Sequence, residues 1–218
     1  MNKQTRHGLV LDRWESFVDA DASFSILPDG CRDLIVKTDQ TCQQPYWFIS
    51  PYFHTAKTVN LSAGSSSKGY RLTAGATIDS AKLLSLTSSS FSDDCVENFI
   101  EECVFISDNL REVLAYISVC PNPVNSVAKE LGVSTRTLQR LVEKQTGLTP
   151  SHWIRLSRIR TAGRCIALGH PFIEVAAASG FADQSHLTRE CVHWFGLSPT
   201  QLLRRTDLKE QLFVTAYS

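Results

Sequence analysis

The chain has 218 residues, 43% of them apolar, and its 22 Lys and Arg balance its 22 Asp and Glu, enough length and apolar content for one large or two small packed domains and too much for a disordered chain. No apolar run reaches the roughly 18 residues of a membrane span, and the start MNKQTRHGLVLDRW lacks the apolar stretch of a secretory signal, so a cytoplasmic location without a membrane partner is expected. Seven cysteines (Cys31, Cys42, Cys95, Cys103, Cys120, Cys165, Cys191) and six histidines (His7, His54, His152, His170, His186, His193) follow no C-x-x-C, zinc-finger, H-x-H or H-E-x-x-H spacing, which argues for reduced, mostly buried thiols and against a disulfide framework, a metal site or a cofactor.

From about residue 8 to 90, short apolar runs alternate with turn formers: LVLDRW, FSIL before Pro28-Asp29-Gly30, DLIVKT, YWFIS before Pro51, KTVNL and YRLTAG. Runs of this length, rich in Val, Ile, Phe and Tyr, predict the strands of a small barrel or sandwich. Residues 64–69 (GSSSKG) and 87–94 (TSSSFSDD) are polar and flexible by composition, and the second marks the expected boundary of a β-rich domain over 1–90. Within it, Asp29, Arg32 and Asp33 fit a polar pocket or, more simply, a charged turn before a buried strand. The aromatics Tyr46, Trp47, Phe48, Tyr52 and Phe53 fit a ligand cage or, more simply, core. Cys31 beside Arg32 raises the idea of a lowered thiol pKa, and His54 reads as a structural histidine.

Residues 97–118 carry apolar side chains three and four apart (Phe99, Ile100, Val104, Ile106, Leu110, Val113, Leu114, Ile117), which predicts helix from here on, with 91–120 as a connector and first helix. Pro121-Asn122-Pro123 stops it and starts another at Val124. From Val124 to Val142 the pattern is that of a helix-turn-helix. Val127, Leu131, Val133, Leu138 and Leu141 supply a shared core, Ala128 is small at a close crossing, Gly132 sits where the turn needs a positive φ, and Ser134 caps the next helix. With Leu138, Leu141 and Val142 inward, Arg136, Thr137, Gln139, Arg140 and Glu143 lie outward. An exposed Arg, Gln and Arg suits base edges, because Arg bonds guanine O6 and N7 and Gln bonds adenine N6 and N7.

About 48 residues later the layout repeats, with Ile173, Val175, Ala176, Gly180-Phe181 and then DQSHLTRECVHWF. Asp183 is the expected N-cap, Leu187, Cys191 and Phe195 the inward stripe, and Gln184, Ser185, Thr188 and Arg189 the exposed start of a second recognition helix. Between the units, Pro150 to Gly169 reads as one helix of about 18 residues, about 27 Å long, against the roughly 34 Å between successive major grooves on one side of B-DNA. Its Arg155, Arg158, Arg160 and Arg164 fit phosphate steering or a solvated face. Over 121–205 eleven Lys and Arg face five acids, near +6, leaving −6 elsewhere. Such a split suits a chain of which one half approaches a polyanion.

LGVSTRTLQRLVEKQTGLTPSHWIRLSRI and IEVAAASGFADQSHLTRECVHWFGLSPTQLL resemble the AraC family of bacterial regulators, whose DNA-binding domain joins two helix-turn-helix units by a long helix. The resemblance covers about 95 residues. It implies an α+β chain: a β-rich, cupin-like sensor or dimerisation domain over 1–90, a double helix-turn-helix DNA-binding domain over 121–205, and a tail over 206–218. It implies double-stranded DNA as partner, with Arg136, Thr137, Gln139, Arg140 and Lys144 in unit one and Gln184, Ser185, Thr188 and Arg189 in unit two as contacts. Where the family shows Phe and then basic residues, this chain has Cys191, Val192 and His193, so unit one is expected to dominate affinity. LPDGCRDLIV with GYRLTAGA is similar to the sensor domain of some members, which implies a small effector or a homodimer and does not choose between them. Two alternatives keep the DNA-binding domain and make the β domain an enzyme, a cysteine methyl acceptor or a cupin-type enzyme. The sparse Cys31 and Cys42 and the missing metal triad argue against both, so no enzyme is expected.

Overall fold

The computed structural model describes residues 8–39, 44–88, 92–214 and 217. The chain first builds an antiparallel four-stranded sheet in the order β1 (Val10–Phe17), β6 (Ser66–Leu72), β3 (Arg32–Thr38), β4 (Tyr46–Ile49), with β2 (Ala22–Ile26) and β5 (Lys57–Leu61) pairing as a separate ribbon. Every predicted apolar run lands in one of these strands. GSSSKG, expected to be flexible, is also drawn into a strand. Its last four residues open β6, which is partnered on both sides by β1 and β3, so the central ladder overrides the polar composition.

Leu34, Tyr70 and Leu72 of the sheet are buried against Leu83 of α1 (Ser80–Thr87) and Val96 and Ile100 of α2 (Asp93–Cys103). Tyr70 donates to Asp93, which also takes Lys68 in an ion pair, tying the sheet to the start of α2. The helix expected over 97–118 is in fact interrupted. The chain extends as β8 (Val104–Phe105) to pair with β7 (Thr77–Ile78), then restarts as α3 (Asp108–Val119), whose first turn Ser107 caps by accepting from Leu110 N at 3.2 Å. The apolar periodicity is real on both sides of the break, but it serves two cores: Val96, Ile100 and Cys103 face the sheet, and Leu110, Val113, Leu114 and Ile117 face the helices that follow.

Those are α4 (Val124–Glu130), α5 (Thr135–Thr146), the 18-residue α6 (Pro150–Ala167), α7 (Phe172–Ala178), α8 (Gln184–Phe195), α9 (Pro199–Arg204) and α10 (Thr206–Phe213). α6 is the axis of the helical part: Trp153, Ile154, Leu156, Ile159, Ala162 and Ile166 are all buried in one core that also holds Leu208 and Leu212 of α10 and Leu27 and Cys31 of the β-rich part.

Arg160 settles how the two parts meet. It is fully buried, and its guanidinium donates to Pro28 O (3.2 Å) in the β-rich part and to Gln211 O (3.1 Å) and Leu212 O (3.4 Å) at the C-terminal turn of α10. A helix end leaves its last carbonyls without partners, and a cation there also suits the helix dipole. Burial pulls the guanidinium pKa down to about 10, so it stays charged at neutral pH. Arg160 is thus a packing residue, neither a phosphate guide nor a solvated one. Gln211 adds a two-way link to β2, accepting from Leu27 N (3.0 Å) and donating to Ser25 O (2.8 Å).

Candidate nucleic-acid interface

Two helix-turn-helix units have the same local construction. After α4, Gly132 (φ 66°) donates to Lys129 O and Val133 N returns to Ala128 O at 2.9 Å; after α7, Gly180 (φ 71°) donates to Ala177 O and Phe181 N returns to Ala176 O at 2.9 Å. A positive φ of this size is strained for a residue with a Cβ, which is why both turns use glycine. The next helix is capped by Ser134 Oγ accepting from Thr137 N (3.1 Å) in unit one and by Asp183 Oδ1 accepting from His186 N (2.6 Å) in unit two. Both recognition helices run 12 residues and close on a left-handed glycine, Gly147 or Gly196. The segments that follow, GLTP and GLSP, then start α6 and α9 with Thr149 and Ser198 as caps.

Burial sorts the faces. In α5, Leu138, Val142 and Thr146 are buried, and Arg136, Thr137, Gln139, Arg140 and Lys144 are exposed together. In α8, Leu187, Cys191, Trp194 and Phe195 are buried, Gln184, Ser185 and Arg189 are exposed, and Thr188 is half-buried with its hydroxyl donated to Gln184 O at 2.9 Å. All nine sequence-predicted residues therefore lie on α5 or α8, at or near the surface. Val133, expected in the shared core, is 38% exposed instead, whereas Phe181, which closes the second turn by the same bond, is buried.

Two other arginines of α6, Arg155 and Arg158, tie it to the units. Arg155 pairs with Glu190 of α8 (3.0 Å) and lies 5.7 Å from the centre of the Trp194 ring, while Glu190 also accepts from Trp194 Nε1 at 3.1 Å. Arg158 donates to Pro121 O at 3.1 Å, joining α6 to the entry of unit one, and Arg164 donates to Thr161 at 3.3 Å. Glu190 and Trp194 were not singled out by the sequence reading. The apolar spacing of Trp194 from Cys191 was a usable signal, but the partner of Glu190 stands 35 positions away.

The candidates in the β-rich part resolve into packing. Asp29 and Asp33 both pair with Arg71 (3.4 Å each), and Arg32 donates to Ser50 O and lies over the Tyr52 ring. This is a charged turn before a strand rather than an open pocket. Trp47 stacks on Tyr70 in the sheet core, whereas Tyr52 meets Trp153 edge-on in the helical core, so the aromatic run forms no single cage. Burial, with Asp29 nearby, pushes the Cys31 thiol well above its ordinary value, the reverse of the activation that a neighbouring Arg32 brings to mind. Cys42 and His7 lie outside the described residues. Three of the six described thiols are buried and three half-buried. Among the described residues no group of three or more His, Cys, Asp or Glu is gathered to hold a metal ion, and no helix is long and apolar enough to cross a membrane. His54 stacks edge-on against His152, 5.2 Å between ring centres.

Residues 127–205 match the family of helix-turn-helix domains. Over 84 residues the chain is 29% identical to the HTH-type transcriptional activator RhaS of Escherichia coli (strain SE11), and over 83 residues 30% identical to RhaS of Salmonella arizonae. In each case 38% of this chain is matched, and the chain spans 30% of the length of these curated relatives. Among solved structures, the C-terminal domain of AraT, a response regulator from Geobacillus stearothermophilus, is 25% identical at a TM-score of 0.42, over 45% of this chain and 85% of that one. Unsaturated fatty acid bound wild-type ToxT from Vibrio cholerae is 13% identical at a TM-score of 0.45, over 98% of both chains. The stretch from Val127 to Arg205 is a helix-turn-helix domain, similar in sequence to that of the RhaS activators.

Proposed function

We propose that the chain is a sequence-specific DNA-binding transcription regulator and not an enzyme, with α5 and α8 entering two neighbouring major grooves of one duplex. The observation that carries this reading is the repeated construction of the two units: the same turn, cap, helix length and exit, with polar and basic side chains exposed on the same part of each recognition helix. A helix of 18 residues between them, about 27 Å long, suits the spacing of successive grooves. In unit one, Arg136, Gln139 and Arg140 read bases, Thr137 supports the helix start, and Lys144 grips phosphate. In unit two, Gln184, Ser185, Thr188 and Arg189 face the next groove. The units span 121–205, and the β-rich part over 1–90 serves as the signal-receiving or dimerising element, in the cytoplasm.

Footprinting of the purified chain on promoter fragments, at two salt concentrations with excess competitor DNA, tests the proposal. Protection of two adjacent major grooves on one face is expected. Binding that competitor removes fully, with no protected segment on any fragment, refutes sequence-specific reading.

A further inference from the structure

Unit one carries an unassigned cleft. It is a half-open groove between α3 and α5 beside the α4–α5 turn, with a volume of about 490 Å³, within the range of small-molecule sites. Its apolar lining is formed by Val113, Leu131, Val133 and Leu141, of which Val133 is 38% exposed. At its rim stand Arg140 and Lys144. Four positions apart on one helix, they share a face about 6 Å apart, and neither makes an ion pair among the described residues. Glu112 on α3 is the single acid on the rim, so the rim carries a net positive charge.

We propose that this cleft is a binding site for a small organic carboxylate with an apolar body. The apolar floor takes the body, which would otherwise be in water, and the two cations take the carboxylate by charge-assisted hydrogen bonds. An inorganic anion leaves the floor uncovered, and a neutral apolar molecule leaves the cations unused. Arg140 and Lys144 are also the residues given to DNA above. On that reading, a bound carboxylate and DNA compete for the same side chains, and the site acts as a release switch for unit one.

The binding claim is tested without DNA, by titrating the full chain with biphenyl-4-carboxylate and with its neutral amide while following amide resonances. The carboxylate is expected to bind at least about tenfold more tightly than the amide, shifting resonances of α3 and α5. Asn109→Trp, which fills the cleft from α3, is expected to abolish binding, and Glu112→Gln, a near-isosteric loss of the opposing charge, to tighten it about threefold. Equal binding of acid and amide overturns the proposal. So does binding that survives Asn109→Trp in a protein with wild-type circular dichroism, or no tightening in Glu112→Gln. Competition is measured separately by DNA anisotropy: the carboxylate should weaken DNA binding in the wild type and not in Asn109→Trp. A chain that binds the carboxylate but no DNA sinks the regulator reading and leaves the site standing. DNA binding indifferent to a bound carboxylate overturns the switch.

Discussion

Gly30→Ala tests whether the turn of the β-rich part is seated on the connector helix. Gly30 has φ 74°, and a Cβ built there falls 2.7 Å from Trp153 Cζ3, 3.0 Å from Tyr217 Cβ and 3.2 Å from Leu156 Cδ2. Two costs add. The left-handed conformation costs an alanine about 1–2 kcal/mol, and forcing a methyl against Trp153, which is fully buried and has no room to retreat, costs about 1–3 kcal/mol. The sum is about 2–5 kcal/mol. Gly132→Ala is the internal control: φ is 66° and nothing lies within 4 Å of the added Cβ, so only the backbone cost applies. Urea unfolding followed by both far-ultraviolet dichroism and tryptophan fluorescence gives the difference between the two variants, expected at about 1–3 kcal/mol. Trp153→Phe removes the clashing ring atoms, so the double variant Gly30→Ala/Trp153→Phe should be less destabilised than the two singles combined, by about 1 kcal/mol or more. If Gly30→Ala costs no more than Gly132→Ala, or the double variant is additive, the turn does not pack on α6.

Arg140→Ala should lower affinity by about 1–3 kcal/mol at one base position and relax specificity there, while Lys144→Ala should weaken all sequences alike and reduce the salt slope. Equal, sequence-independent losses from both, measured by competition with single-base operator variants, refute the base-reading role of Arg140. Glu190→Ala should destabilise more than Arg155→Ala, by about 1 kcal/mol, because it leaves Trp194 Nε1 without its acceptor while Arg155 is half-exposed and loses only a surface pair; urea midpoints decide. Burial, with His54 and Arg155 nearby, holds His152 at about 4, below the ordinary 6.5. The unfolded chain then takes up a proton first as pH falls, so this group costs nothing above about 6.5 and removes stability between 6.5 and about 4. After discounting for its partial exposure the loss is about 1–2 kcal/mol, and His152→Gln should flatten that part of the stability-against-pH curve. Cys31 should resist iodoacetamide in the folded protein while half-buried Cys120 and Cys165 react, as read by peptide mass.

The elements legible in the sequence are those set by short-range patterns. Gly132 and Gly180, with Ser134 and Asp183 two or three positions on, fix turn and cap within one segment, so both units could be read off the chain. The length of α6 followed from Pro150 at its start and Gly169 past its end. What stayed hidden depends on distant partners. The break at Val104–Phe105 exists because β7, some 27 positions upstream, supplies a pairing edge, and apolar spacing does not register that. Arg160 is the same residue type as Arg155 and Arg158 but falls between Trp153 and Leu156 on the helical wheel, and the acceptors that allow a cation on that buried face lie 132, 51 and 52 positions away. Val133 and Phe181 close their turns by the same hydrogen bond, yet Phe181 is buried and Val133 is 38% exposed, so apolar character and turn position do not by themselves fix burial.

The β-rich part is bound to both recognition helices at corresponding places. Ala56 N donates to Trp194 O (2.7 Å) in the last turn of α8, and Thr77 Oγ1 donates to Gln145 O (3.2 Å) in the last turn of α5. Both contacts are at the C-terminal turns and avoid the N-terminal turns that carry Arg136, Gln184 and Ser185, whose side chains are exposed. The β-rich part also reaches α6 through Arg160 and Gly30. Because a packed interior does not deform smoothly, a displacement of the β-rich part must either break these contacts or carry α5 and α8 with it. The relative setting of the two recognition helices is therefore a property of the whole chain, and α6 alone does not fix it.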